Sequence, residues 1–126
     1  MPVSGLPPYE TDNIFARILR GEIPAKKVYE DEWAFAFHDI NPQAPTHILV
    51  IPKGAYCSFA DFSASASDAE IAGFTRAVGK IAHDLGLEAP GYRILANMGS
   101  HGGQEVPHFH VHLFGGRPLG RMIPTA

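Results

Sequence analysis

A single cysteine, Cys57, is all the chain holds. No internal disulfide can form, and a reducing compartment is the natural setting. No stretch approaches the roughly 18 uninterrupted apolar residues of a membrane span. The opening run MPVSGLPPYETDN has neither the basic start nor the apolar core of a signal peptide. A cytoplasmic protein with no membrane partner is therefore expected. Basic charge is not in excess: 10 Lys and Arg against 13 Asp and Glu give a net charge of −3. That argues against nucleic acid as a partner, yet a nucleotide-sized anion can still bind in a local pocket. Internal repeats are missing, and biased composition is confined to SFADFSASAS at residues 58–67. The remainder, 45% hydrophobic and 18% charged over 126 residues, is ordinary for one globular domain.

Residues 1–11, with Pro2, Gly5, Pro7 and Pro8, read as a disordered lead-in, and residues 12–126 as a single domain. DNIFARILRGEIP follows as a short helix, capped by Asp12 or Asn13 and stopped by Gly21, with Ile14, Phe15, Ile18 and Leu19 on its apolar face. KKVYEDEWAFAFHDI reads as a hairpin: a strand at Val28–Tyr29, a turn at Glu30–Glu32, a strand from Trp33 to Phe37. THILVIP is β-branched and apolar throughout, a central strand covered on both faces. In SDAEIAGFTRAVGKIAHDLGL, Ser67 and Glu70 form a capping box. Ile71, Phe74, Val78, Ile81 and Leu85 recur at helical spacing, and Gly86 ends the helix. GYRILANM alternates as a strand, SHGGQEV is a glycine-bearing loop, and a further strand and a Gly-Pro-rich tail complete the chain. The order predicts an α+β fold, an antiparallel sheet with its helices against one side.

The run PHFHVHLFGG, Pro107 to Gly116, carries the chemistry. On a strand, His108, His110 and His112 line one face at about 6.5–7 Å spacing, while Phe109, Val111 and Leu113 pack behind them. A neutral imidazole needs two hydrogen-bond partners, so three are a poor choice for an apolar interior. One use for such a row is zinc, with the third ligand reached only by a bend and Glu105 the nearby carboxylate. Another is a phosphate. Asn97 and GGQEV lie just upstream, glycines let backbone approach a ligand, and successive N–H groups cradle anions. A central imidazole facing that pocket can attack phosphorus, in a reaction where positioning and charge stabilisation supply most of the catalysis. Incidental surface histidines are the third possibility.

His-x-His-x-His, two apolar residues and GGR together resemble the signature of the histidine-triad (HIT) superfamily. DNIFARILRGEIPAKKVYEDEWAFAFHDINPQAPTHILVIPK and GGQEVPHFHVHLFGGRPLG resemble its Hint branch, the histidine-triad nucleotide-binding proteins. The likeness runs from about Asp12 to Arg121 and is weakest over 54–66. It implies a HIT-like fold: an antiparallel sheet of about five strands with one short and one long helix, extended across a homodimer. It also implies a purine nucleoside phosphoramidase without metal or other cofactor, cleaving the P–N bond of AMP or GMP phosphoramidates and acting on aminoacyl-adenylates. Alternatives are a dinucleoside polyphosphate hydrolase of the same superfamily and a non-catalytic nucleotide-binding or interaction protein.

By this resemblance His110 is the nucleophile, His112 contacts the phosphate near the leaving group, His108 supports the site, and His47 of APTHILV lies beside the triad from a neighbouring strand. Asp39 accepts the ribose hydroxyls. Ile14, Phe15, Ile18, Phe37 and Ile40 form the apolar clamp around the purine, the other reading of these five being ordinary core. Asn97 and the backbone of Gly103, Gln104, Glu105 and Val106 form the phosphate cradle. Glu105 stands where animal members have Ser and many bacterial ones Glu, and a carboxylate repels phosphate. Pro107 stands where Tyr is common, and is expected as the first residue of the triad strand, where a missing N–H is tolerated. The tail RMIPTA corresponds to a segment that reaches towards the partner's site. His38, His83 and His101 are expected outside the site, and Cys57 is expected to pack.

Overall fold

The computed structural model describes residues 2–123. The helix α1 spans Ile14–Leu19, opened by Asn13, whose side chain accepts the Ala16 N–H, and closed at Arg20 before Gly21. Strands β1 (Lys27–Glu30) and β2 (Ala34–His38) form the expected hairpin. Its turn is fixed by Asp31, whose carboxylate accepts the N–H groups of Trp33 and Ala34 at 2.7 and 2.9 Å. Strand β3 (Thr46–Pro52) is buried from His47 onward, with Leu49 and Ile51 on one face and Ile48 and Val50 on the other. Helix α2 (Phe59–Ser65) is followed by α3 (Asp68–Asp84), which carries the Ser67–Glu70 capping box. Strand β4 (Arg93–Leu95), the short turn of helix α4 (Gly99–Gly102) and β5 (Val111–Gly115) complete the order.

All pairings are antiparallel, in the order β1-β2-β3-β5-β4. The α+β class and the five strands are as the sequence predicts. The helices are not all on one side. Helices α2 and α3 cover the face carrying Ala34, Ala36, Ile48, Val50, Val111 and Leu113. The opposite face packs Phe37, Leu49 and Ile51 against Phe15 and Ile18 of α1. Two short helices are also added to the expected pair. Helix α2 arises inside the low-complexity stretch because Ser58 caps it and Phe62 supplies a buried anchor. Helix α4 arises in the glycine loop, ending where Gly103 takes a φ of +74°, open to glycine without strain. Among the described residues no helix is long and apolar enough to cross a membrane.

The triad strand starts later than expected. Pro107 is not its first residue; the ladder begins at Val111, leaving His108 and His110 in the segment before it. The β3–β5 register, Val50 opposite Val111, would continue to Pro52 opposite Phe109. Pro52 has no N–H to give, its carbonyl is taken by the ring of His108, and the Phe109 N–H turns instead to the Tyr56 carbonyl at 2.7 Å. The predicted lead-in contains no helix or strand in its described part, but it lies against the domain, with the Val3 N–H on the Gln104 carbonyl at 2.8 Å.

Candidate active site

Alternation along the sheet collects the polar chemistry on the α1 face. His47 of β3 stands opposite Phe114, and His112 of β5 opposite Leu49, so the two imidazoles are diagonal neighbours with ring centres 5.2 Å apart. His110 lies one step up the chain, its ring 5.2 Å from that of His112 and edge-on to Phe15 at 5.0 Å. The row is less open than the sequence suggests. His108 is fully buried, His110 is 7% exposed, and only His112 is half-buried. Phe109, Val111 and Leu113 lie in the larger core, as expected.

Partners that can only donate or only accept settle where each ring carries its proton. The His108 carbonyl lies 2.7 Å from His110 Nδ1, so that nitrogen donates and His110 Nε2 is left with its lone pair. The Pro52 carbonyl takes the Nε2–H of His108 at 2.9 Å, and His108 Nδ1 accepts from the Tyr9 hydroxyl at 2.6 Å. Gln43 donates its backbone N–H to His47 Nδ1 at 3.1 Å, which puts the His47 proton on Nε2. That nitrogen donates to His112 Nδ1 at 2.9 Å, so neutral His112 presents Nε2–H. Among the described residues no buried side-chain nitrogen or oxygen lacks a partner, so unpaired His110 Nε2 and His112 Nε2 reach solvent. A lone pair and a donor therefore stand side by side at the surface.

Burial keeps all four rings neutral. Desolvation pushes His108 down to about 4, the Pro52 carbonyl opposing it. It pushes His112 down to about 4 as well, helped by the neighbouring His110 and His47. His110 and His47 are lowered by the same cause, with the charge of Asp39 pulling the other way. Asp39 is held by the Asn41 N–H on Oδ1 at 2.7 Å, and its Oδ2 lies 3.5 Å from His47 Nε2.

The other expected site residues separate. Ile40 is 90% exposed and Ile14 is exposed, whereas Phe15, Ile18 and Phe37 are buried in the smaller core. In the cradle segment, the N–H groups of Gly103 and Gln104 are already spent on the Ser100 and Gly99 carbonyls. The Gln104 side chain is buried too, bonding Gly99 N–H and the carbonyls of Cys57 and Val106. The N–H groups of exposed Glu105 and half-buried Val106 make no backbone hydrogen bond among the described residues, and half-buried Asn97 lies beneath Gly102. The expected backbone cradle thus narrows to residues 105 and 106. His38 and His101 are exposed, His83 pairs with Glu88 at 2.7 Å, and Cys57 is buried. Sequence reasoning missed Tyr9, 99 residues from its partner His108, and no local pattern marks it. Part of the tail, Pro124 to Ala126, lies outside the described residues.

A zinc site built from the three triad histidines is not formed, because both ring nitrogens of His108 are engaged within the fold. Among the described residues, the ligand atoms close enough to share an ion belong to Asp39, His47 and His112, within 4.8 Å of one another. Two of these face each other across a hydrogen bond that a shared ion would have to break.

The family model described as HIT domain matches residues 20–119. A 13.2 kDa HIT-like protein of Azospirillum brasilense is 67% identical over 115 residues, 91% of this chain and 94% of the relative. The purine nucleoside phosphoramidase of Escherichia coli K12 is 47% identical over 112 residues, 89% and 93% of the two chains. A solved HIT family hydrolase from Legionella pneumophila superposes with a TM-score of 0.75 at 44% identity, covering 84% of this chain and 94% of that one.

Proposed function

The chain belongs to the HIT family and is a hydrolase of it, and on that footing we propose that it cleaves the P–N bond of purine nucleoside 5′-phosphoramidates. The observation that carries this reading is the proton pattern: His110 Nε2 is a free lone pair because its Nδ1–H is committed to a carbonyl. In the proposed reaction His110 Nε2 attacks the α-phosphorus as the P–N bond breaks. The His112 Nε2–H hydrogen-bonds the departing nitrogen, which takes its proton from a water molecule and leaves as the amine. The positive charge developing on His110 offsets the hydroxide that this leaves. That hydroxide then displaces His110 from phosphorus, releasing a nucleoside monophosphate. His112 need not gain or lose a proton, which fits rings that burial keeps neutral.

In this reading the N–H groups of Glu105 and Val106, with Asn97, hold phosphoryl oxygens. Asp39 accepts the ribose hydroxyls, and Ile40 and Ile14 are the apolar groups free to cover a purine. The test is to react the protein with adenosine 5′-phosphoramidate, quench, and locate the adduct by mass spectrometry. A nucleotidyl group on His110, absent from His110→Ala together with turnover, is expected. An adduct elsewhere, or near-native turnover by His110→Ala, rejects the mechanism.

We also propose that the protein works as a homodimer joined at β4. This strand ends the sheet, Ile94 and Tyr92 are 52% and 40% exposed, and an apolar groove of about 590 Å³ lies beside it, lined by Phe59, Phe74, Val78 and Phe109 among others. The groove is on the face away from the imidazoles, so it is a surface for packing rather than for the reaction.

A further inference from the structure

Residues 3–9 are seated closely against the domain. Their Val3 N–H donates to the Gln104 carbonyl, and Gly5 is buried with a φ of +71°. A Cβ at Gly5 would lie 2.5 Å from Gln104 Oε1 and 3.1 Å from Ser58 Cβ, so only glycine fits this close approach. The Ser4 carbonyl in turn lies 3.2 Å from where a Cβ on Gly99 would stand. Tyr9 then reaches in, its hydroxyl 2.6 Å from Nδ1 of the fully buried His108 and its ring edge-on to that imidazole at 5.7 Å.

We propose that this segment is a strap, and that Tyr9 is a positioning residue that fixes the nucleophile through His108. The Pro52 carbonyl can only accept, so the His108 proton sits on Nε2 and the Tyr9 hydroxyl donates to Nδ1, holding the second side of the ring. With both ring nitrogens anchored, the backbone of His108 is fixed, and its carbonyl is what holds His110 Nδ1–H. Burial pushes the Tyr9 hydroxyl up, so it remains a donor through neutral pH. The strap also holds the Gln104 carbonyl, next to the two N–H groups assigned to phosphate. Lacking Tyr9, His108 Nδ1 is left unpaired in the interior and the ring is anchored at Nε2 alone, so the alignment of His110 Nε2 is lost while nucleotide contacts remain.

The kinetic part of the inference rests on the phosphoramidase reading; the proton pattern does not. Tyr9→Phe and Gly5→Val in the full chain test it, with adenosine 5′-phosphoramidate kinetics and ¹⁵N NMR of the histidine rings. For Tyr9→Phe, kcat falls about ten- to a hundredfold, the scale of a lost orienting group, and KM stays within about twofold. The His108 Nδ1 resonance leaves its hydrogen-bonded position and that of His110 Nδ1–H moves with it. Gly5→Val, which unseats the strap, shifts kcat in the same direction. An unchanged kcat overturns the proposal. So does a loss of activity that only tracks the unfolded fraction in a thermal melt, which would make Tyr9 a packing residue. If the native chain turns over no phosphoramidate, the ring resonances decide alone: no change at His108 and His110 in Tyr9→Phe overturns the strap, whereas a shift sustains it and leaves the substrate reading as the part that failed.

Discussion

Ile18 and Phe37 are 9% and 5% exposed, packed with Leu49 and Ile51 under α1, whereas Ile40, next to Asp39, is 90% exposed. The same residue class therefore gives opposite outcomes on truncation. Ile18→Ala leaves a cavity and is expected to cost about 2–5 kcal/mol in urea unfolding. Ile40→Ala is expected to stay within about 0.5 kcal/mol of the native chain in that measurement. It should instead weaken AMP binding by about 1–2 kcal/mol, roughly five- to thirtyfold in Kd by calorimetry, because a side chain that covers a purine is buried only in the complex. An unaltered Kd would remove Ile40 from the clamp. Neither outcome is legible from residue type. Helical spacing marks Ile14, Phe15, Ile18 and Leu19 as one apolar face, and only packing shows that Ile14 lies outside it.

Strand β4 is three residues long, ends the sheet and exposes Ile94, features of an edge that is paired or protected. Ile94→Glu places a like charge on both sides of a two-fold joint, and sedimentation at micromolar protein is expected to show monomers where the native chain shows dimers. A native monomer, or a variant that remains dimeric, would reject β4 as the joint. At this scale the sequence was most readable where signals are local. The Asn13 cap, the Asp31 turn and the Ser67–Glu70 capping box all act within three residues. It was least readable where an element answers to something distant. Helix α2 depends on the burial of Phe62 against Phe74 and Phe109, and β5 starts at Val111 because Pro52, on another strand, cannot donate.

Four neutral histidines, three buried and His112 half-buried, make the whole molecule sensitive to acid. Their folded values lie below the ordinary histidine value of about 6.5, those of His108 and His112 at about 4. Between those limits the unfolded chain binds protons that the folded chain refuses. Stability is thus fully present above about pH 6.5 and is lost as pH falls towards 4, by about 1.4 kcal/mol per pH unit for each ring that stays neutral. His83 runs the other way, raised by Glu88, but it is exposed. Carboxylates lowered by their partners, Glu30, Asp31 and Glu70, act only in more acid solution. Urea midpoints measured from pH 7 to pH 5 should fall steadily; a flat profile would mean that the rings protonate in place.

The amino-acid sequence by itself determined the α+β class, the two principal helices and the alternation that sets the triad histidines opposite Phe109, Val111 and Leu113, whereas His47 and Asp39 were expected beside the triad only through the family resemblance. Alternation along a strand and capping within a turn are properties of neighbouring residues. Tertiary structure alone decided that His108 is interior, that α1 takes the opposite face of the sheet, and that Tyr9 donates to the triad. It also decided which nitrogen of each imidazole carries the proton. That choice is made by carbonyls, amides and a hydroxyl brought from elsewhere in the chain, and no spacing within PHFHVHLFGG encodes it.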